Sequence, residues 1–160
     1  MKKGIEVKYC KKPGEAMALA LIEAEAAARA GEVPVGAVIV ESQTGKVLAR
    51  SHNRVERDCD PTAHAELLAI RALGKELKSA RMGDCDLYVT LEPCPMCATA
   101  ISFARIRRVY YGAYDPKGGG VDHGPRVYEH ETCHHRPEVY GGLSEEPCAS
   151  LLKSFFQKRR

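Results

Sequence analysis

Three metal-ligating side chains stand at spacings that could bring them to one point. Cys94 and Cys97 are three residues apart at the start of a predicted helix, so both sulfur atoms can face the same point. A helix N-terminus also favours the thiolate form of cysteine, which is the form that binds metal. His64 lies at the start of another predicted helix. Two thiolates and one imidazole leave one position open, which is the arrangement of catalytic rather than structural zinc.

A carboxylate next to the histidine could supply the proton chemistry of such a site. Zinc lowers the pKa of a bound water to about 7, which makes hydroxide available at neutral pH. Glu66 lies two residues after His64, so it can reach the open position without being a ligand and can move a proton to a leaving group. Taken alone, Cys-x-x-Cys also fits redox or core cysteines, and His-x-Glu also fits a helix cap or a salt bridge. The two motifs together favour a hydrolytic zinc centre.

The segments that must position these side chains alternate between helix and strand patterns. The helix that carries His64 is predicted to have Thr62 as its N-cap and to end at Gly74. A hairpin followed by strand–helix–strand alternation predicts an α/β fold, a three-layer α/β/α sandwich around a five-stranded mixed sheet. The predicted helices are 15–30, 63–73, 95–104 and 145–159, the predicted strands are 33–40, 46–51, 86–91, 107–113 and 138–140, and a long loop covers 115–137.

Length and composition predict one domain over residues 1–160, in which 1–12 form an N-terminal extension whose order the sequence leaves open. Hydrophobic residues make up 44% and charged residues 28%, as in soluble globular proteins, and no apolar run approaches a membrane span. The seven cysteines come without a secretory signal, which favours a reducing cytoplasm and metal binding over disulfides. A net charge of +3 is too small to indicate nucleic acid by itself.

Several further segments accompany the two motifs along the chain. They are 31–38, 60–66 with His64-Ala65-Glu66, 88–94, Pro93-Cys94-Pro95-Met96-Cys97, 105–112 and Phe155-Phe156, together with Asn53. His-x-Glu followed by Pro-Cys-x-x-Cys is the signature of zinc-dependent nucleobase deaminases. With the other segments, nearly the whole chain from about residue 15 resembles the bacterial tRNA-specific adenosine deaminases.

This resemblance implies a fold, a reaction and an assembly. The fold is cytidine deaminase-like, and the enzyme is a cytoplasmic hydrolase that acts as a homodimer. Its substrate is the anticodon stem-loop of tRNA, where it converts the adenosine at wobble position 34 to inosine and releases ammonia. The resemblance also implies one zinc ion per subunit on His64, Cys94 and Cys97, with Glu66 as the proton shuttle. No organic cofactor and no membrane are expected.

Further residues are implied to contact the RNA. Asn53 would hold the target nucleotide, Val35 would form a wall of the pocket, and Phe156 would line the RNA face on the last helix. Asp115 and Lys117 would meet the backbone of the anticodon loop. Each residue type also has a structural alternative: an asparagine can end a strand, a strand valine can be core, and an aspartate before proline can form a turn. Adjacent phenylalanines cannot face the same way, so one of the pair is expected in the core.

Two other functions compete with tRNA deamination. Pro95 between the two cysteines is common in guanine deaminases, so a guanine or other free nucleobase or nucleoside deaminase of the same fold is the main alternative. Val35, the Asp115-Pro-Lys-Gly-Gly stretch and the basic tail after Phe156 favour the tRNA enzymes. A catalytically idle RNA-binding or partner subunit is the second alternative. Glu66 argues against it, because a structural zinc does not need that carboxylate.

Overall fold

Five short segments rich in β-branched and aromatic residues form one mixed sheet in the computed structural model, which describes residues 8–159. The strands are β1 (Gly36–Glu41), β2 (Val47–His52), β3 (Cys85–Leu91), β4 (Arg108–Ala113) and β5 (Glu138–Gly141). Their order across the sheet is β2-β1-β3-β4-β5. β1 pairs antiparallel with β2 and β3, whereas β3, β4 and β5 run parallel. The five-stranded mixed sheet predicted from the sequence is therefore confirmed.

Four helices cover the two faces of the sheet. They are α1 (Pro13–Arg29), α2 (Ala65–Leu77), α3 (Pro95–Phe103) and α4 (Glu145–Gln157). Helices α1 and α4 pack in a core that includes Val38 and Val40, whereas α2 and α3 pack in a core that includes Ala37 and Ile39. Because side chains along a strand alternate between its faces, β1 contributes to both cores. The predicted three-layer α/β/α sandwich is confirmed.

The start of α2 differs from the prediction that Thr62 caps it. The hydroxyl and backbone N–H of Thr62 both donate to the carboxylate of Asp60, at 2.7 and 2.8 Å, so this side chain belongs to a turn. The N-cap is His64, and the helix begins at Ala65. The predicted N-cap was wrong because the local hydrogen bond to Asp60 takes the group that a cap would use.

Two other boundaries lie beyond their predicted positions. Gly74 is inside α2, which continues to Leu77 and ends before Lys78 in the left-handed conformation. The strand predicted over 33–40 begins only at Gly36, because the preceding residues form a tight turn that follows α1. Both shifts come from tertiary packing and turn geometry that a local sequence pattern does not report. Neither shift moves the candidate metal-ligating residues away from the helix starts.

Residues 8–10 lie against the β1–β2 hairpin. Tyr9 forms an isolated antiparallel bridge with Lys46, and the N–H of Cys10 donates to the carbonyl of Gly45 at 2.8 Å. Of the predicted extension over 1–12, residues 1–7 lie outside the described residues. No helix among residues 8–159 is long and apolar enough to cross a membrane.

Candidate active site

Two helix N-termini converge on one point beside the sheet. Cys94 is the N-cap of α3 and Cys97 lies in its first turn, while His64 is the N-cap of α2. The Nδ1 atom of His64 lies 3.6 Å from the sulfur of Cys94 and 3.5 Å from the sulfur of Cys97. These three potential ligand atoms all lie within 4.8 Å of one another. The structure therefore brings together the three residues that were predicted from the sequence as metal ligands.

The distances between the three donor atoms suit a zinc ion. With Zn–S bonds of about 2.3 Å and Zn–N bonds of about 2.0–2.1 Å, tetrahedral geometry places sulfur and nitrogen roughly 3.5 Å apart. Both S···N distances match that separation. Two sulfurs and one imidazole also leave a fourth position open to a water or a substrate. The residues present thus fit a catalytic zinc site.

The electrostatics of the cysteine pair favour metal binding. A hydrogen bond from Cys97, opposed by burial and reinforced by His64, lowers the pKa of Cys94 to about 4. The pKa of Cys97 is raised, because its thiol donates to Cys94 and is itself buried. The pKa of His64 is raised by its hydrogen bond to Cys94. One thiolate is therefore already favoured before a metal ion binds and draws the remaining proton away.

Asn53 fixes the start of α2 from the end of β2. Its side-chain oxygen accepts the backbone N–H of Ala65 at 2.9 Å, and its own N–H donates to the carbonyl of Val35 at 3.1 Å. A residue distant in the sequence thus satisfies one of the donors that a helix N-terminus leaves free. Asn53 therefore joins the residue before β1 and the end of β2 to Ala65, the first residue of α2 after His64.

Glu66 lies in the first turn of α2 and is 4% exposed. Burial raises its pKa, since water no longer stabilises the charged form. It lines the same cavity as His64 and Cys94. A carboxyl group in this position can accept and return a proton next to the metal-ligating atoms.

The cavity in front of these groups has a volume of about 610 Å³. His64, Glu66 and Cys94 contribute to its lining, with Val35 and Asn53 beside them. The end of α4 contributes Phe155 and Phe156, and Arg159 just beyond the helix also lines the cavity. Three of the five predicted RNA contacts, Val35, Asn53 and Phe156, therefore line the cavity together with His64 and Cys94.

The other two predicted RNA contacts lie on the loop after β4. Asp115 is partly buried and Lys117 is exposed, and neither is part of the cavity lining. The carboxylate of Asp115 accepts the N–H groups of Lys117 and Gly118, at 3.3 and 3.0 Å. The side chain of Asp115 thus forms the turn that its position before a proline favours. Both residues lie outside the pocket lining, on the loop whose Asp115 backbone donates to Glu92 of that lining.

The cavity is also lined by two buried carboxylates that the sequence analysis did not single out. Glu32 and Glu92 are each 2% exposed. Glu32 accepts the backbone N–H groups of Glu56 and Arg57 at 2.9 and 3.0 Å, while Glu92 accepts backbone groups from the loop after β4. Burial would raise the pKa of Glu92, but hydrogen bonds from His123 and the backbone hold it below its usual value. A signal was present for Glu92, because it follows a buried strand and precedes Pro93 and Cys94.

The fold and the donor set define the class of zinc-dependent deaminases. A family model described as the cytidine and deoxycytidylate deaminase zinc-binding region matches residues 11–113. A tRNA-specific adenosine deaminase of Agrobacterium fabrum is 55% identical over 144 residues, which are 90% of this chain and 93% of that protein. The chain belongs to this family of tRNA-specific adenosine deaminases within the deaminase class. Both the resemblance found in the sequence and the zinc cofactor are confirmed.

Solved structures agree with this placement. A structure from studies of A-to-I editing by tRNA:A34 deaminases at the wobble position of transfer RNA is 55% identical. It superposes with a TM-score of 0.84 and covers 86% of this chain and 99% of that one. A guanine deaminase from Bacillus subtilis is 41% identical, with a TM-score of 0.58, but covers only 62% of this chain and 63% of that one. The match to the tRNA:A34 deaminase structure therefore covers more of this chain than the match to the guanine deaminase.

Proposed function

We propose that this chain converts adenosine to inosine at the wobble position, 34, of a tRNA anticodon, and that ammonia is released. The observation that carries the proposal is a cavity with His64, Cys94 and Glu66 in its lining and with aromatic and cationic side chains from the end of α4. Such a cavity can take one extruded base together with part of its RNA strand. The names of the relatives supply the choice of tRNA over a free base.

His64, Cys94 and Cys97 are the residues that would hold the metal ion. When bound there, zinc lowers the pKa of a water molecule to about 7 and makes a hydroxide nucleophile available at neutral pH. Glu66 takes the proton of the attacking water and delivers it to N1 of adenine as the bond from oxygen to C6 forms. It then carries the remaining hydroxyl proton to the amine, so that the C6–N bond breaks and ammonia leaves. The products are inosine and ammonia, which balance adenosine and water.

The surrounding residues select and orient the nucleotide. The hydrogen bond from Ala65 engages the side-chain oxygen of Asn53, which leaves its amide nitrogen as the group that can donate to the nucleotide. Val35 forms an apolar wall, and Phe156, which is 50% exposed, offers a ring on which a base can stack. An unpaired loop nucleotide reaches such a pocket at low cost, because few stacking or pairing contacts must be broken.

The direct test uses the purified, zinc-bound protein and an anticodon stem-loop with adenosine at position 34. After digestion of the RNA, inosine is measured by mass spectrometry. A matched RNA with that adenosine moved by one position is the control, and guanine is tested in parallel for release of ammonia. Inosine confined to position 34 supports the proposal. Ammonia from guanine without inosine in the RNA would contradict it and favour the free-base alternative.

We infer that the enzyme acts in the cytoplasm, because its proposed substrate is tRNA.

We also infer that two copies of the chain form a dimer through α3. At the two ends of this helix Met96 and Phe103 are 36% and 71% exposed, which is unusual for large apolar side chains. Burying them against a second copy would remove this apolar surface from water. The mass of wild-type protein and of a Phe103→Lys variant in solution tests the pairing. A wild-type monomer at micromolar concentration would contradict it.

A further inference from the structure

Glu92 is a buried carboxylate that accepts five hydrogen bonds from the loop after β4. Its Oε1 atom accepts the backbone N–H of Asp115 at 3.1 Å and the Nδ1–H of His123 at 2.7 Å. Its Oε2 atom accepts the successive backbone N–H groups of Val121, Asp122 and His123, at 3.2, 3.1 and 3.1 Å. One side chain therefore holds both ends of the segment 115–123.

The segment between these two ends is organised from the same anchor. The backbone of Asp115 is fixed by Glu92, and the side chain of Asp115 accepts the N–H groups of Lys117 and Gly118. The N–H of Gly119 donates to the carbonyl of Asp115 at 2.9 Å. Lys117 thus stands exposed on a turn whose geometry depends on Glu92 through Asp115.

Two glycines let this segment lie directly on the stretch that carries Cys94. A Cβ atom on Gly119 would lie 2.2 Å from Oε2 of Glu92, and one on Gly120 would lie 2.6 Å from the backbone nitrogen of Pro95. The N–H of Gly120 donates to the carbonyl of Pro93 at 2.8 Å. The RNA-facing loop and the metal-ligating stretch are therefore in contact, with Glu92 between them.

We propose that Glu92 is a positioning residue that sets the affinity for the RNA by fixing segment 115–123. This inference rests on the proposed function. Charge-assisted hydrogen bonds are about twice as strong as neutral ones, so five of them hold the loop in one arrangement before the RNA arrives. A loop that is already ordered does not lose conformational entropy when it binds, and the affinity rises accordingly. Within the described residues, all the hydrogen bonds that this carboxylate accepts come from the loop, so the chemical step is left to Glu66 and the metal-ligating residues.

The test compares Glu92→Gln with the wild-type protein on the anticodon stem-loop. The amide keeps the shape of the side chain but replaces one acceptor oxygen with a donor that faces N–H groups. We expect KM for the RNA to rise about tenfold or more, while kcat stays within about threefold, as for a lost binding contact. Zinc content should stay equal to that of the wild type, and hydrogen–deuterium exchange should accelerate at residues 115 and 121–123.

A second variant tests the inference if Glu92→Gln folds poorly, and a third serves as the control. His123→Ala removes one of the five bonds from a side chain that is one-third exposed, so a smaller rise in KM is expected. Glu23→Gln is the control. Glu23 is a partly buried carboxylate that accepts hydrogen bonds from Arg50 and His52 on β2, at 3.1 and 2.9 Å, and none from segment 115–123. This control should leave KM and the exchange of segment 115–123 unchanged.

Two results would overturn the inference. A fall in kcat or in zinc content with unchanged KM would place Glu92 in the metal centre instead. Unchanged KM together with unchanged exchange in both Glu92→Gln and His123→Ala would show that the loop does not depend on this side chain. Absence of inosine from the wild-type protein would instead count against the proposed function, whereas the exchange and zinc measurements need no activity.

Discussion

The candidate metal-ligating residues stand at the starts of two helices, whereas the surroundings of the cavity consist of loops and the end of one helix. His64 and Cys94 are N-caps of α2 and α3, and both helices pack on the sheet through fully buried side chains. Their positions follow from regular backbone geometry and core packing. Displacing them would require movement of a whole helix, which a close-packed interior resists.

The rim is held by a few polar contacts instead. We use the word rim for three segments: residues 54–60, residues 115–123 and residues 155–159. The first and the third include residues that line the cavity, whereas the second lies outside the lining and is held by Glu92, which belongs to the lining. Glu32 accepts two backbone N–H groups from the first segment, and Glu92 accepts five hydrogen bonds from the second. Arg159 joins the third to the turn after α1 by donating to the carbonyl of Gly31 at 2.9 Å. Changes at the centre should therefore affect the chemical step, and changes at the rim should affect RNA affinity.

The largest effect is expected when a metal-ligating cysteine is removed. Cys97→Ala should lose zinc and reduce inosine formation below detection, because two donors hold the ion much less tightly than three. Metal analysis of the purified variant and the stem-loop assay measure the two losses. Cys148→Ala is the control, since Cys148 is also a buried thiol but lies in the core formed with α1 and α4. Full zinc content in Cys97→Ala would remove this residue from the ligand set.

The next largest effect is expected from substitution of Glu66, which tests proton transfer without removing a candidate metal ligand. Glu66→Gln keeps the shape of the side chain but cannot accept the proton, so kcat should fall by about 10²–10⁴-fold, the usual contribution of a positioned acid–base group. Zinc content and KM should change little. Single-turnover formation of inosine and metal analysis test this. A wild-type rate would exclude Glu66 as the proton shuttle.

A smaller effect on a different parameter is expected at Glu32, the rim counterpart of Glu92. Glu32→Gln disturbs two backbone hydrogen bonds to residues 56 and 57, so KM for the stem-loop should rise about threefold, with kcat unchanged. Steady-state kinetics on the stem-loop separates the two parameters. A loss of kcat comparable to that of Glu66→Gln would break the distinction between centre and rim.

The sequence could predict the centre because its geometry is local. Cys94 and Cys97 are placed relative to each other by one helical turn, and Pro95 marks where that turn begins, as the structure confirms. The strand–helix alternation then brings the second helix start to the same side of the sheet. The exact start of α2 was not predictable, because its free N–H is satisfied by Asn53 across twelve residues rather than by a neighbouring cap.

The construction of the rim could not be predicted, because it depends on buried charge. Glutamate is normally a surface residue, and nothing in the sequence distinguishes Glu32 from the exposed acids. Glu92 stands between a strand pattern and Cys94, but its position does not reveal which groups its carboxylate binds. Their partners are backbone N–H groups, which every non-proline residue has and which therefore leave no pattern. Asp115 and Lys117 were predicted by resemblance alone. Their place on a loop held by Glu92 is visible only in three dimensions.

The smallest effect is expected at Arg159, where the rim is most exposed. The guanidinium carbon of Arg159 lies 4.2 Å from the centre of the Phe155 ring, and its Nη2 donates to the carbonyl of Gly31. Arg159→Ala should raise KM about twofold, since an exposed contact of this kind contributes about 0.5 kcal/mol, which corresponds to roughly that factor.

Lys158→Ala separates the contact made by Arg159 from its charge. Both substitutions remove one positive charge from neighbouring positions, but only Arg159 holds α4 against the turn after α1. If the contact matters, Arg159→Ala should raise KM more than Lys158→Ala, and the difference should persist at higher salt, where exposed charges are screened. If both variants raise KM equally and both increases disappear at high salt, Arg159 contributes only its positive charge to RNA binding. Loss of a structural contact would not be screened by salt in that way.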